Sequence, residues 1–256
     1  MPLRSSEAIL LDVYDLHEYD RIVTMLTREF GKRRGVARGS RRRFSRFTGQ
    51  LQPLDKVRAT WFEKEGRDLD RISSLDTLRS ADGLTKELEG ILLSGYLAEH
   101  MTEFAQESEE NDRLYRLLDS AVEALLGGVD SDLVARYFEA WVLRLSGLFP
   151  DPFACPHCER SLNDVGAALD PSSEAIMCRD CGSGGTPVSA PALEFFRRIS
   201  RTSLHDMSES SFSPELLGEC EEISGRVRRT FLQHELKSHR VMRETLAGLP
   251  AGGQRK

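Results

Sequence analysis

The chain has 256 residues, 39% of them hydrophobic and 30% charged, which is the composition of a soluble globular protein. It contains no apolar stretch of membrane-spanning length and begins without the apolar core of a signal peptide, so we expect a cytoplasmic protein. The formal charge of −6 argues at first against a polyanionic partner. However, residues 1–80 carry 17 Lys and Arg against 12 Asp and Glu, a net +5 that leaves −11 for the remainder. This asymmetry predicts a charged partner for the N-terminal part alone.

Residues 1–80 are predicted to form a small β-barrel or sandwich, because five short apolar runs alternate with glycine-containing and charged turns. In the fourth run, the period of two directs Trp61 toward the core. The same period directs Arg58, Phe62 and Lys64 outward, where Phe62 is a candidate for stacking on nucleic-acid bases. The five runs lie at about residues 7–14, 19–27, 32–37, 51–64 and 69–78.

Positive charge is densest between residues 28 and 46, where nine cations face one acid, Glu29. Arginine dominates, which favours bidentate contacts with phosphate, so we interpret the segment as a nucleic-acid-binding surface. The alternative is a solvated loop that binds nothing. Phe44 and Phe47 either stack on bases or anchor the segment to the barrel. Together with the fourth strand, the candidate nucleic-acid-binding residues are Arg28, Lys32, Arg33, Arg34, Arg38, Arg41, Arg42, Arg43, Arg46, Arg58, Phe62 and Lys64.

From Asp82 the apolar residues recur at helical spacing, which predicts a helical domain over residues 81–248. The first group of helices ends at Pro150-Asp151-Pro152. Helices resume at Ala192 and finish with one long helix near residues 215–246. The tail, residues 249–256, is expected to be disordered.

Four of the five cysteines form two C-x-x-C pairs separated by 19 residues, within a Gly- and Pro-containing insert at about residues 153–190. This spacing matches a four-thiolate zinc site, in which two tight turns complete one tetrahedron. A redox dithiol, coincidence, or His157 as a competing ligand are the alternatives. Four thiolates leave no open coordination position, so the zinc is predicted to be structural. The predicted ligands are Cys155, Cys158, Cys178 and Cys181.

Enzymatic chemistry finds little support in the sequence. There is no P-loop motif, and no set of Ser, Cys, His and Asp residues indicates a nucleophilic triad. The acidic residues between Glu107 and Asp112 are interpreted as a solvated helix end rather than a nuclease site. We therefore predict that the protein is not an enzyme.

Several motifs, in this order along about residues 5–247, resemble the RecO family of bacterial recombination mediators. One departure is Glu159-Arg160 after the second cysteine, where family members often have glycine. The motifs are EYDRIVTMLT at 18–27, FGK at 30–32, ARGSR at 37–41, LQPL at 51–54, LYRLL at 114–118, YFE at 137–139, the four cysteines, and LKS at 236–238.

The resemblance implies an α+β protein: an N-terminal OB-fold barrel, then an all-α domain with an inserted four-cysteine zinc ribbon. It also implies binding of single- and double-stranded DNA, annealing of complementary strands, and partnership with RecR and the C-terminal tail of single-stranded DNA-binding protein. With RecR, such proteins help load the recombinase RecA onto single strands. A zinc-ribbon adapter that binds proteins but not DNA, and a metal-dependent nuclease, are the competing hypotheses.

Overall fold

The computed structural model describes residues 2–45, 47, 51–63, 69–163, 166–172 and 174–248. The chain forms two compact units, one of residues 1–126 with 236–256 and one of residues 127–235. The domain limits expected from the sequence, 1–80 and 81–248, stay a prediction, since these units group residues by contact. None of the helices in the described ranges combines the length and apolar character needed to cross a membrane.

A closed five-stranded barrel forms the N-terminal part of the first unit, with the strand order β1-β2-β3-β5-β4. The neighbouring strands pair antiparallel, except for a short parallel contact between β3 and β5. The barrel closes because the long first strand pairs with β2 on one side and with β4 on the other. The strands are β1 Leu3–Leu16, β2 Asp20–Thr27, β3 Gly31–Ala37, β4 Lys56–Phe62 and β5 Asp70–Arg79.

Alternating burial along β4 fills the barrel and confirms the period-two prediction. Val57, Ala59 and Trp61 are fully buried, whereas the residues between them are exposed or half-buried. The indole of Trp61 meets the ring of Phe30 edge-on, with 5.4 Å between the ring centroids. Large apolar side chains thus occupy the barrel interior, which leaves only its outer face and its ends for binding.

The first unit also contains a 3₁₀ helix Asp82–Lys86, α1 Leu88–Phe104, α2 Asp112–Leu126 and α7 Lys237–Ala247. Helices α1 and α2 contact the barrel, whereas α7 packs against α1. The carboxylate of Asp119 in α2 accepts hydrogen bonds from Lys56 Nζ of β4 and from Arg79 Nη1 of β5, each at 2.7 Å.

The link between α1 and α2 lies along β3. Its glutamates Glu107, Glu109 and Glu110 are exposed and α2 begins at Asp112, in agreement with the interpretation as a solvated helix end. Lys32 N donates to Gln106 O at 3.1 Å, and Ser108 N donates to Lys32 O at 3.2 Å. Gly31 at the start of β3 has φ +63°, and a Cβ there would lie 2.1 Å from Glu109 O. The glycine therefore lets the link approach the strand.

The second unit contains helices and a small three-stranded sheet of order β7-β6-β8. Serine side chains cap the starts of three of its helices, because Ser189 Oγ accepts from Ala192 N, Ser203 Oγ from Asp206 N and Ser213 Oγ from Leu216 N. Its elements are α3 Ser131–Leu145, β6 Ala167–Leu169, β7 Ile176–Cys178, β8 Thr186–Val188, α4 Ala190–Ile199, α5 Leu204–Ser208 and α6 Pro214–Leu232.

The prediction of one long final helix is wrong, because α6 ends at Leu232 and α7 begins at Lys237. Gln233 adopts a left-handed conformation with φ +61°, which terminates α6. The carboxylate of Glu99 in α1 then accepts from the backbone N–H groups of Lys237 and Ser238, at 3.1 and 2.8 Å. These contacts satisfy the first amides of a new helix. Otherwise the predicted fold class, a barrel followed by a helical domain with an inserted four-cysteine cluster, is confirmed.

Candidate nucleic-acid interface and metal centre

Exposed arginines gather in the loop that follows β3, at one end of the barrel. The loop is held in place by its backbone, since Arg41 N donates to Tyr19 O at 3.1 Å and Gly39 N donates to Asp20 Oδ1 at 2.8 Å. Gly39 has φ +72°, a conformation that glycine adopts without strain. The side chains presented by this turn are Arg38, Arg41, Arg42 and Arg43, all exposed.

Three of these arginines contact groups that orient them without burying them. Arg41 Nη1 lies 3.1 Å from Asp15 Oδ2. The guanidinium groups of Arg42 and Arg43 lie over the rings of Tyr19 and Phe44, at 5.3 and 5.7 Å from the ring centroids. Stacking uses the guanidinium face and leaves its N–H edge for phosphate oxygens.

Two predicted DNA contacts are instead engaged within the first unit. Arg33 is 11% exposed and bonds Asp70, Glu63 and Ser108 at distances between 2.7 and 3.1 Å. Lys32 Nζ donates to the carbonyl oxygen of Thr102 at 2.6 Å, and burial lowers the pKa of Lys32. Arg33 and Lys32 therefore bind neighbouring parts of the first unit. The exposed arginines of the loop after β3 are more accessible to a phosphate group than these two residues.

The remaining predicted residues surround the barrel. Arg28 pairs with Asp112 at 2.8 Å, Arg34 Nη2 donates to Tyr14 Oη at 2.9 Å, and Arg58 pairs with Glu7 at 3.1 Å. Phe62 is half-buried, and the guanidinium carbon of Arg71 lies 6.0 Å from the centroid of its ring. Arg46 and Lys64 lie outside the described residues.

The two phenylalanines of the basic segment, which the sequence could not distinguish, have different environments. Phe44 is 91% exposed, whereas Phe47 is 5% exposed and packs against the barrel core. Two further exposed aromatic side chains, Tyr14 and Tyr19, were missed by the sequence interpretation. Period-two counting from the inward-facing Val13 would have placed Tyr14 on the outer face.

The four predicted zinc ligands converge on one point in the second unit. Their Sγ atoms all lie within 4.8 Å of one another, and those of Cys158 and Cys178 are 3.6 Å apart. A tetrahedral ion with bonds of about 2.3 Å to sulfur would separate its ligands by roughly 3.8 Å. The cluster therefore fits a single four-coordinate metal ion. Cys220 is fully buried in α6, as expected for a small apolar side chain.

Two backbone turns bring the cysteine pairs together. Glu159 N donates to Cys155 O at 2.8 Å in the first turn, and Gly182 N donates to Cys178 O at 2.8 Å in the second. Glu159 has φ +59°, the left-handed region that favours glycine. Glu159 thus holds a conformation suited to glycine at the position where this sequence departs from the family pattern.

Arg160 spans the two cysteine pairs. Its Nε donates to Cys158 Sγ at 3.4 Å, and its Nη2 donates to Cys178 Sγ at 3.6 Å and to Asp180 Oδ2 at 2.7 Å. The hydrogen bond from Arg160 lowers the pKa of the Cys158 thiol to about 6. A positive group so placed favours the thiolate form that binds metal.

Comparison with known proteins identifies the family to which the chain belongs. Residues 1–81 match the family model described as Recombination protein O N terminal, and residues 86–240 match Recombination protein O C terminal. The chain is 34% identical to the DNA repair protein RecO of Koribacter versatilis, over 69% of this chain and 71% of the relative. It is 33% identical to that of Anaeromyxobacter sp. strain Fw109-5, over 89% of each chain. Matches of this extent over both halves make the chain a member of the RecO family of DNA repair proteins.

Proposed function

We propose that this protein is a non-enzymatic recombination mediator, which binds single- and double-stranded DNA through its barrel and anneals complementary strands. The observation that carries the proposal is the cluster of exposed arginines in the loop after β3, in a chain of the RecO family. Under the competing adapter hypothesis, that cluster binds an acidic peptide instead of DNA. This hypothesis accounts less well for arginines spread along a loop and the adjoining barrel face.

The mechanism requires charge neutralisation rather than bond breaking. Each phosphate contacted by an arginine releases condensed counterions, which favours binding at moderate salt without selecting a sequence. Two strands held on cationic surfaces repel each other less, so their bases can search for complementary partners. Arg41, Arg42 and Arg43 are the residues for which this role is best supported, because they are exposed and oriented by their neighbours.

The proposed partners follow from membership of the family. They are RecR, the C-terminal tail of single-stranded DNA-binding protein, and, through RecR, the recombinase RecA. In this proposal the protein acts on the DNA of the bacterial nucleoid and helps RecA displace single-stranded DNA-binding protein.

We further propose that the four cysteines hold a structural zinc ion. The donor set supports zinc, because four thiolates at tetrahedral separations suit this ion and leave no position for water or substrate. The ion would supply no chemistry to the reaction. It would fix the two turns of the ribbon, whose described residues form three strands of three residues each.

Replacing Arg41, Arg42 and Arg43 together by Ala tests the DNA-binding role. We expect affinity to fall for all sequences alike. The slope of log affinity against log salt concentration on single strands should become shallower by about 2, because each of three lost phosphate contacts contributes roughly 0.7. Fluorescence anisotropy with a labelled oligonucleotide over a salt series measures both quantities.

A matched control removes three exposed cations elsewhere in the same unit, Lys86, Arg113 and Arg116. The control variant should retain the affinity and salt dependence of the parent protein. Equal losses in the two variants would mean that only net charge matters, and unchanged binding in the first variant would remove the loop from the site.

A further inference from the structure

A groove of about 430 Å³ lies at the end of the barrel that carries the arginine loop. Leu16 of β1 and Val36 of β3 give it apolar walls, while Arg38 and Arg42 bring two cations to it. Asp20 also lines the groove, and its carboxylate already accepts the backbone N–H of Gly39. The volume lies within the range of small-ligand pockets, and the lining combines apolar surface with groups that bind anions.

The strand register places one tyrosine–arginine pair on the same outer face. Tyr14 pairs with Ile22, and Ile22 pairs with Val36, so the three side chains form a row across β1, β2 and β3. Leu16 is two residues from Tyr14, and Arg34 is two residues from Val36. The hydrogen-bonded Tyr14–Arg34 pair therefore borders the groove.

A second tyrosine–arginine pair borders the groove at the turn between β1 and β2. Tyr19 lies in this turn, and the guanidinium of Arg42, itself part of the groove lining, lies over its ring. Both tyrosine rings are accessible, with Tyr14 38% and Tyr19 45% exposed. The two exposed rings, each next to an arginine, offer flat apolar faces on which a nucleic-acid base can stack.

We propose that this groove is the subsite that selects unpaired bases. Unstacked bases of a single strand would lie against the rings of Tyr14 and Tyr19, and the phosphates beside them would contact Arg38 and Arg42. This inference rests on the proposed function, because it assigns to one groove the single-strand part of DNA binding. Bases in a duplex are already stacked and paired, so a duplex would use the arginines without the rings.

Removing the two rings while keeping every arginine tests the subsite. The full-length double variant Tyr14→Leu/Tyr19→Leu is compared with the parent protein on three labelled probes: a mixed-sequence single strand, an abasic strand of equal length, and a duplex. Stacking of a base on an aromatic ring contributes to affinity, and an abasic strand cannot make this contact. We therefore expect affinity for the mixed strand to fall by roughly ten-fold or more, with duplex affinity changed less than about two-fold. The parent protein should bind the abasic strand about as weakly as the variant binds the mixed strand.

Two control variants separate stacking from other effects. Tyr14→Phe/Tyr19→Phe keeps both rings and removes only the hydroxyl groups, including the partner of Arg34, and should retain the preference for the mixed strand over the abasic strand. Phe231→Leu removes an exposed ring from α6 in the second unit and should change nothing. Circular dichroism of each variant verifies that the fold is retained.

The outcomes distinguish this inference from the proposed function. If the parent binds DNA but the double leucine variant binds the mixed strand equally well, or loses strand and duplex affinity alike, the subsite is overturned while DNA binding stands. Equal binding of mixed and abasic strands by the parent overturns the subsite in the same way. If the parent binds none of the three probes, the proposed function fails and the subsite fails with it.

Discussion

Arg33 and Arg42 lie in the same basic segment, but their surroundings give them different roles. Arg33 is almost enclosed, and its guanidinium is shared among Asp70, Glu63 and Ser108. Arg42 is exposed and lies over the ring of Tyr19. The charge density of the sequence predicted that the whole segment binds nucleic acid. It could not separate these residues, because the acids that engage Arg33 lie 30 or more positions away along the chain.

The hydrogen bonds of Glu63 predict an acid-dependent contribution to stability. Arg4, and then Arg33, hold the pKa of Glu63 below its usual range. The folded protein thus favours the ionised form, and this stabilisation is present above the unfolded pKa near 4.5 and is lost as the pH falls through the folded pKa.

Glu63→Gln should therefore lower the urea midpoint at pH 7 and have a smaller effect at pH 3.5. Urea unfolding of both proteins at the two pH values measures this difference. The account of Glu63 would be wrong if the substitution had the same effect at both pH values, since a neutral contact does not titrate.

Arg160 is expected to tighten metal binding, since it donates to one sulfur of each cysteine pair. Protein purified without chelator should contain one zinc per chain. Arg160→Met should weaken zinc affinity by about ten-fold or more, the usual effect of losing a group that supports metal ligands. Competition with a chromogenic chelator measures the affinity.

The control for this substitution is Arg179→Met, which removes the same charge next to Cys178 and should leave zinc affinity unchanged. Absence of zinc from the purified parent protein would contradict the structural-zinc proposal itself. Zinc bound with equal affinity by the parent and by Arg160→Met would contradict only the role of Arg160.

At the scale of elements, prediction of side-chain burial from the sequence succeeded where one periodicity holds over a whole segment. The alternation in β4 placed Trp61 inside and Phe62 outside, as observed. The break between α6 and α7 was missed because apolar and charged residues continue at helical spacing through it. The signals that end one helix and begin the next are the backbone of Gln233 and a carboxylate from Glu99, about 140 positions away.

The start of α7 should depend on Glu99. Glu99→Ala removes the carboxylate that accepts from two backbone amides, and we expect a loss of about 0.5–2 kcal/mol of stability, as for other helix caps. Hydrogen exchange should rise mainly in α7. The control Glu87→Ala removes a carboxylate that makes no capping bond at the start of α1. Unchanged exchange in α7 would mean that packing of buried Leu236 and His239 suffices to hold the helix.

At the scale of the whole molecule, charge is divided along the chain. Residues 1–80 carry +5 in a protein of net charge −6. In the proposed function, the acidic remainder would repel DNA and concentrate its attraction on the barrel. The four-cysteine cluster lies in the other compact unit, residues 127–235, whereas the exposed arginines of the loop after β3 lie in the first.

The most direct test of this account is the salt dependence of oligonucleotide binding by the intact protein. Binding of a labelled single strand, titrated at 50 and 200 mM salt, should weaken steeply, with a log–log slope of roughly −0.7 for each phosphate contacted. A slope of −2 or steeper would show that the exposed arginines neutralise several phosphates. An affinity that does not change between the two salt concentrations, or no binding at the lower one, would contradict the central claim.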